Sequence, residues 1–176
     1  MTPSTSKGDV FIGHLLTLQA RSDRGALADL RADLRDHPSD RYRAGKHVVP
    51  FLGDEENPND KWYYLVGALF ALHPSHSDSA GNFGASLKKL RAESSDSLDA
   101  RVLALLDADR TDVARHLRGL VGQLASKGIP VNYRVLLRNL CFWDRPDRSV
   151  QRDWARDYYR ASQTAVAKAT QEGEQT

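Results

Sequence analysis

The chain has 176 residues, 40% of them hydrophobic and 27% charged, with one cysteine and a formal net charge of +2. That length and mix suit one soluble globular domain with a real core. A single cysteine excludes an internal disulfide framework and suits a reducing cytoplasm. The opening MTPSTSKGDVF carries no apolar run of a signal peptide, and the longest strongly apolar segment, 62–72, is too short to cross a bilayer. No membrane partner is expected.

Residues 1–8 are polar, with Pro3 and Gly8, and read as a disordered start to a helical domain over 9–167. Phe11, Ile12, Leu15, Leu16 and Leu18 predict a first helix over 9–19, capped by Asp9. A turn over 21–25 follows, because Gly25 is poor inside a helix. Leu27, Leu30 and Leu34 predict a second helix over 26–35, ended by His37-Pro38. In 40–52, Tyr42, Val48, Val49 and Phe51 form the apolar set of a short helix that Pro50 bends or ends. An acidic turn-rich loop occupies 53–59.

The segment 61–73 is apolar almost all round, from Trp62 through Leu72, and is the expected buried centre of a bundle. A loop over 74–82 precedes a short helix over 84–91, with Leu87 and Leu90 inward and Lys88 and Lys89 toward solvent. Four more helices are expected over 98–108, 111–126, 132–143 and 148–167. Thr111 and Asn132 are candidate N-caps and Gly128 a candidate C-cap residue. Residues 168–176 read as a disordered tail. No alternating strand pattern appears, so the fold class is all-α: a single-domain bundle of about eight helices.

The net charge hides an asymmetry. Residues 110–160 hold 11 Lys/Arg against 5 Asp/Glu, whereas residues 1–109 hold 13 against 16. Ten of the eleven basic residues in 110–160 are arginine, whose planar fork suits phosphate. On a helical wheel Arg115 and Arg118 lie opposite the stripe of Val113, Leu117, Leu120, Val121 and Leu124. Arg134 and Arg138 pair at i, i+4 beside Leu136, Leu137 and Leu140. Arg148, Arg152, Arg156 and Arg160 form a ladder, which Asp144, Asp153 and Asp157 are placed to neutralise. Such faces suit a polyanion.

Signals of catalysis are weak. His73 and His76, with Asp78, lack the fixed spacing of a metal site. Cys141 sits between Leu140 and Phe142 as a core residue. Asp107 and Asp109 flank Arg110 and read as capping or salt-bridging groups. Gly81-Asn82-Phe83-Gly84 is no phosphate loop, because no strand precedes it. No catalytic residue, metal or cofactor is expected.

A set of stretches resembles a known family. They are Asp23-Arg24-Gly25-Ala26-Leu27 with Leu30-Arg31, the apolar 64–72, and Asn82-Phe83-Gly84 with Ser86-Leu87. Leu105-Leu106-Asp107-Ala108-Asp109-Arg110, His116-Leu117-Arg118, Gly128-Ile129-Pro130-Val131 with Leu136-Leu137, and Trp143 follow in order. Together, over roughly 10–160, they resemble CasB, the small subunit of the type I-E CRISPR surveillance complex Cascade. The resemblance implies an all-helical, non-catalytic protein, present as two copies beside other Cascade subunits. It implies basic surface contacts to CRISPR RNA and to single- and double-stranded target DNA, including the displaced strand of an R-loop. Arg31, Arg101, Arg110 and Arg118 match the family's basic surface best. Lys88, Lys89, Arg138, Arg145 and Arg148 match it more loosely, and Arg115 and Arg134 join on wheel position. The competing expectation is a helical protein–protein adaptor whose arginines meet only acidic neighbours.

Overall fold

The computed structural model describes residues 6–35, 37–91 and 97–160. Among them the chain forms nine α-helices and no strand. They are α1 (Lys7–Ala20), α2 (Arg24–Ala32), α3 (Pro38–Val48), α4 (Asp60–Leu72) and α5 (Phe83–Arg91). Then come α6 (Ser97–Asp107), α7 (Val113–Ser126), α8 (Tyr133–Cys141) and α9 (Ser149–Tyr159). The all-α bundle expected from periodicity is the observed architecture.

Local chemistry sets the boundaries. Helix α1 starts at Lys7, ahead of the expected start, because Ser6 is its cap. The Asp9 amide donates to Ser6 Oγ at 3.1 Å, and the Ser6 hydroxyl donates to Asp9 Oδ2 at 2.7 Å. Asp9 thus serves as the third helical residue of a reciprocal cap rather than the cap itself. Asp23 caps α2 through the Ala26 amide at 3.0 Å, so Gly25 falls in the first helical turn instead of a preceding loop. Pro38 both stops the short 3-10 turn Asp33–Arg35 and opens α3 at a position where its missing N–H is no loss.

Thr111 is not a cap. Its amide and that of Asp112 donate to Asp109 Oδ1 at 2.8 and 3.0 Å, and α7 begins at Val113. Asn132 caps α8 as expected, accepting from Val135 at 3.1 Å. Gly128 ends α7 with φ +65°, and Ile129 and Gly128 donate back to Leu124 and Ala125 in a Schellman arrangement. Arg148 lies just outside α9 with φ 48°, so it is not the first rung of a helical ladder. The expected continuation of that last helix over 161–167, and both terminal tails beyond residues 6 and 160, lie outside the described residues.

Helix α4 is the axis of the fold. It packs against α1, α2, α3, α7 and α8. Val66, Leu69 and Phe70 are completely buried and Trp62 nearly so. Each such side chain contributes about 1.5–3 kcal/mol by leaving water. The second layer is built where α9 lies across α5 and α6. There Trp154 stacks obliquely on Trp143 and Phe83, with ring centroids 5.1 and 5.2 Å apart. The Trp154 indole donates to Asn139 Oδ1 at 2.8 Å, and that of Trp143 to the Ala108 carbonyl at 3.0 Å. On α3 and the turn after it the apolar spacing misleads: Tyr42 is 82% exposed and Val49 56%, while Ala44 and Val48 face the core.

Candidate nucleic-acid interface

A groove of about 510 Å³ opens where the N-terminal ends of α4 and α7 meet α3 and the 3-10 turn after α2. Five cations line it: Arg41, Lys61, Arg110, Arg115 and Arg118. Among the described residues Asp33 is the one carboxylate in the wall. Its floor is Trp62, whose ring carries the Lys61 ammonium at 4.4 Å and the Arg110 guanidinium at 5.1 Å. The Trp62 Nε1 donor has no acceptor among the described residues.

The cations are not equivalent. Arg110 is only a quarter exposed and is fully engaged. It donates to the Pro58 carbonyl, to Asn59 Oδ1 at 3.0 Å and to Asp144 Oδ2. It clips the acidic loop and the segment after α8 to the start of α7. Lys61 donates to the Arg110 carbonyl at 3.0 Å. Burial, and then the neighbouring Arg110 charge, lowers the Lys61 pKa. Arg41 is held by Asp33 at 3.4 Å and by the Tyr64 ring at 4.1 Å. Arg118 donates to the Leu34 carbonyl and keeps an exposed head. Arg115 is 73% exposed, with a long 3.8 Å contact to Asp112 and a 3.4 Å contact to the neighbouring His116 ring.

The structure therefore gathers Arg110, Arg115 and Arg118 from the predicted set and scatters the rest. Arg134 is tied to Asp78 at 3.3 Å and to the Asp9 carbonyl at 2.8 Å. It lies with Arg138 beside a separate hollow of about 220 Å³ between α1 and α8. Arg145 stacks on Phe142 at 4.5 Å, and Arg148 donates to the Leu106 carbonyl. Arg31, Arg101 and Lys89 are exposed and Lys88 half-buried, and none makes an ion pair among the described residues. In the last helix Arg156 and Arg160 pair with Asp153 and Asp157 at 3.4 and 3.6 Å, whereas Asp144 serves Arg110.

Arg41 and Lys61 escaped sequence reasoning. Nothing in the local pattern of α3 or α4 links them to α7; only the packing does. One signal was present, the exposed-type run Arg41-Tyr42-Arg43.

His73 and His76 are structural. The buried His73 ring meets the Ile129 carbonyl at 2.7 Å, and His76 accepts from the Tyr133 amide at 3.2 Å while facing Asp78 at 3.0 Å. They fasten the loop after α4 to the connection between α7 and α8. Among the described residues no group of three or more His, Cys, Asp or Glu is placed to hold a metal ion. Burial raises the Cys141 pKa, which disfavours the thiolate. No described helix is long and apolar enough to cross a membrane.

The family model of CRISPR-associated protein Cse2 matches residues 26–159. The chain belongs to the Cse2 family. Cse2 of Thermus thermophilus is 36% identical over 166 residues, covering 93% of this chain and 96% of that protein. The crystal structure of CasB from M. ruber superposes with a TM-score of 0.75 at 30% identity, covering 98% of this chain and 100% of that one. A chain of a CRISPR RNA-guided surveillance complex gives a TM-score of 0.74 at 26% identity, over 93% of this chain and 97% of its own. The CasB resemblance read from the motifs is thus borne out, and Cse2 and CasB chains share this fold.

Proposed function

We propose that this Cse2-family chain is the small, non-catalytic subunit of an RNA-guided surveillance complex in the cytoplasm. It packs there with a second copy of itself and with the other subunits. It stabilises the guide RNA–target DNA hybrid and the displaced strand through phosphate contacts, without reading sequence. The observation that carries this is the groove on α4 and α7, where four further cations surround the immobilised Arg110 and one carboxylate faces them.

Pairing of a guide RNA with one DNA strand exchanges one duplex for another of similar stability. The displaced strand re-anneals unless something holds it. A groove of arginines supplies that hold through counterion release, which is indifferent to sequence. Arg115 and Arg118 supply the open guanidinium groups, and Lys61 and Arg41 add fixed charge behind them. Nothing in this role calls for a nucleophile or a metal.

The test is a complex assembled with Arg115→Glu/Arg118→Glu. Assembly stays intact by size-exclusion chromatography, and target-duplex affinity falls with a shallower salt dependence. The adaptor reading has its own support, because Arg110, Arg134, Arg156 and Arg160 are spent on carboxylates. It predicts unchanged target affinity in the double variant, and that result overturns the present proposal.

A further inference from the structure

We infer that Tyr42 is a stacking platform for an unpaired base, so that this side of the molecule takes single-stranded rather than duplex nucleic acid. The inference rests on the phosphate-holding function proposed above and names the form of nucleic acid that the groove receives.

Tyr42 has the most exposed large apolar side chain of the described residues, at 82%. Its ring makes no aromatic contact, and its hydroxyl no hydrogen bond, among them. It stands between Arg41 and Arg43, both exposed. Arg41 and Asp33 line the cationic groove, and they also line a hollow of about 280 Å³ completed by His37, Pro38 and Tyr42. The two depressions therefore share a wall, and the tyrosine ring borders a path that leads to Arg115 and Arg118. Arg41 is pinned by Asp33 and Tyr64, so the wall between them is fixed.

The two halves of this path offer different chemistry. Clustered guanidinium and ammonium groups bind phosphates of any nucleic acid. An upright aromatic face beside them adds affinity only when a base presents its own face. Bases in a duplex are stacked on each other and hide those faces. A strand displaced from its complement exposes them. The ring face and the arginines on either side thus select for unpaired nucleotides. A protein partner is less well matched, because beside Tyr42 the hollow has one further apolar residue, Pro38, against the polar or charged Asp33, His37 and Arg41. The other exposed apolar residue of this region, Val49, lies past the C-terminal end of α3.

The test compares a thymidine oligomer with an abasic oligomer of equal length, titrated against the full-length chain at one salt concentration. Both carry the same phosphates; only one carries bases. Wild type is expected to bind the thymidine oligomer about tenfold tighter. Tyr42→Ala abolishes that preference and leaves abasic affinity unchanged, while Tyr42→Phe retains it. Equal binding of the two oligomers by wild type, or a preference that survives Tyr42→Ala, overturns the inference. So does loss of a protein subunit from the assembled complex in Tyr42→Ala with the oligomer preference intact, since Tyr42 is then a protein contact. In each of these cases Arg115→Glu/Arg118→Glu still weakens both oligomers equally, and the phosphate-holding function stands. Binding of neither oligomer by wild type removes both.

Discussion

Gly84 of α5 meets the backbone of Trp154 in α9 so closely that a Cβ on Gly84 would lie 2.1 Å from the Trp154 carbonyl oxygen. No side chain fits there, and the obstacle is backbone, which cannot swing aside. Gly84→Ala must therefore part the two helices. The crossing buries Phe83, Leu87 and Trp154, so separation is costly. A loss of about 3 kcal/mol is expected, at the upper end of overpacking effects. Urea unfolding measures it, and Gly119→Ala, where nothing lies within 4 Å, is the control.

Arg110 and Arg115 line the same groove and answer differently to mutation. Arg110→Ala removes three hydrogen-bonding partners and the cover over Trp62. It should cost about 1–3 kcal/mol of stability and lower the melting temperature measurably. Arg115→Ala should leave the melting temperature unchanged, because its ion pair with Asp112 is exposed and long. Calorimetry on both variants separates the structural cation from the binding one.

Salt dependence counts the phosphates held. Removing Arg115 or Arg118 singly should lower the slope of log K against log salt by about 0.7–0.9 for each phosphate that is no longer neutralised. Arg134→Ala should leave the slope unchanged, since Asp78 and Asp9 already occupy that guanidinium. Titrations over a salt series, read by anisotropy of a labelled strand, give these slopes directly.

His14 and His47 stack with ring centroids 6.3 Å apart, and neither Nε2 finds a hydrogen-bond partner among the described residues. Burial lowers both pKa values from the ordinary 6.5, and each also feels a neighbouring positive charge, His47 for His14 and Lys46 for His47. Asp29, 3.8 Å from His47 Nε2, opposes this only in part. The folded state thus favours neutral rings. Below pH 6.5 the unfolded chain binds protons that the folded chain resists, so stability is complete above that pH and falls as pH drops through it. Chemical denaturation over a pH series should show this slope, and His14→Leu should flatten it. Asp29 and Asp40, whose pKa values lie below 3.8 because of Lys46 and Arg35, add their losses only at much lower pH.

The helices were legible because burial leaves a period in the sequence. Trp62, Val66 and Leu69, or Leu117, Leu120, Val121 and Leu124, announce their helices and their inward faces together. Helix starts were less legible, since a cap depends on which of two nearby acceptors reaches the free amides. Ser6 won over Asp9, and Asp109 took the amides near Thr111. Tyr42 and Val49 misled because an apolar residue on a short helix looks the same whether it faces the core or water. At the groove, Arg115 and Arg118 were readable from one helix alone. Arg41 and Lys61 were not, because their relation to α7 exists only in the packed bundle. Conversely Arg134 looked free on the wheel and proved tied, its partners Asp9 and Asp78 being distant in sequence.

The crossing of α5 and α9 also has a consequence for the order of synthesis. Asn82, just before α5, grips Asp157 of α9 across 75 positions of sequence. Phe83, Leu87 and Leu90 leave the ribosome long before the helix that covers them. Until α9 arrives, only α7 covers part of that greasy strip, and the side that meets α9 has no shield. Chains halted within α8 therefore present a sticky nascent surface, suited to holdase capture or to self-association, while their first four helices are already able to pack.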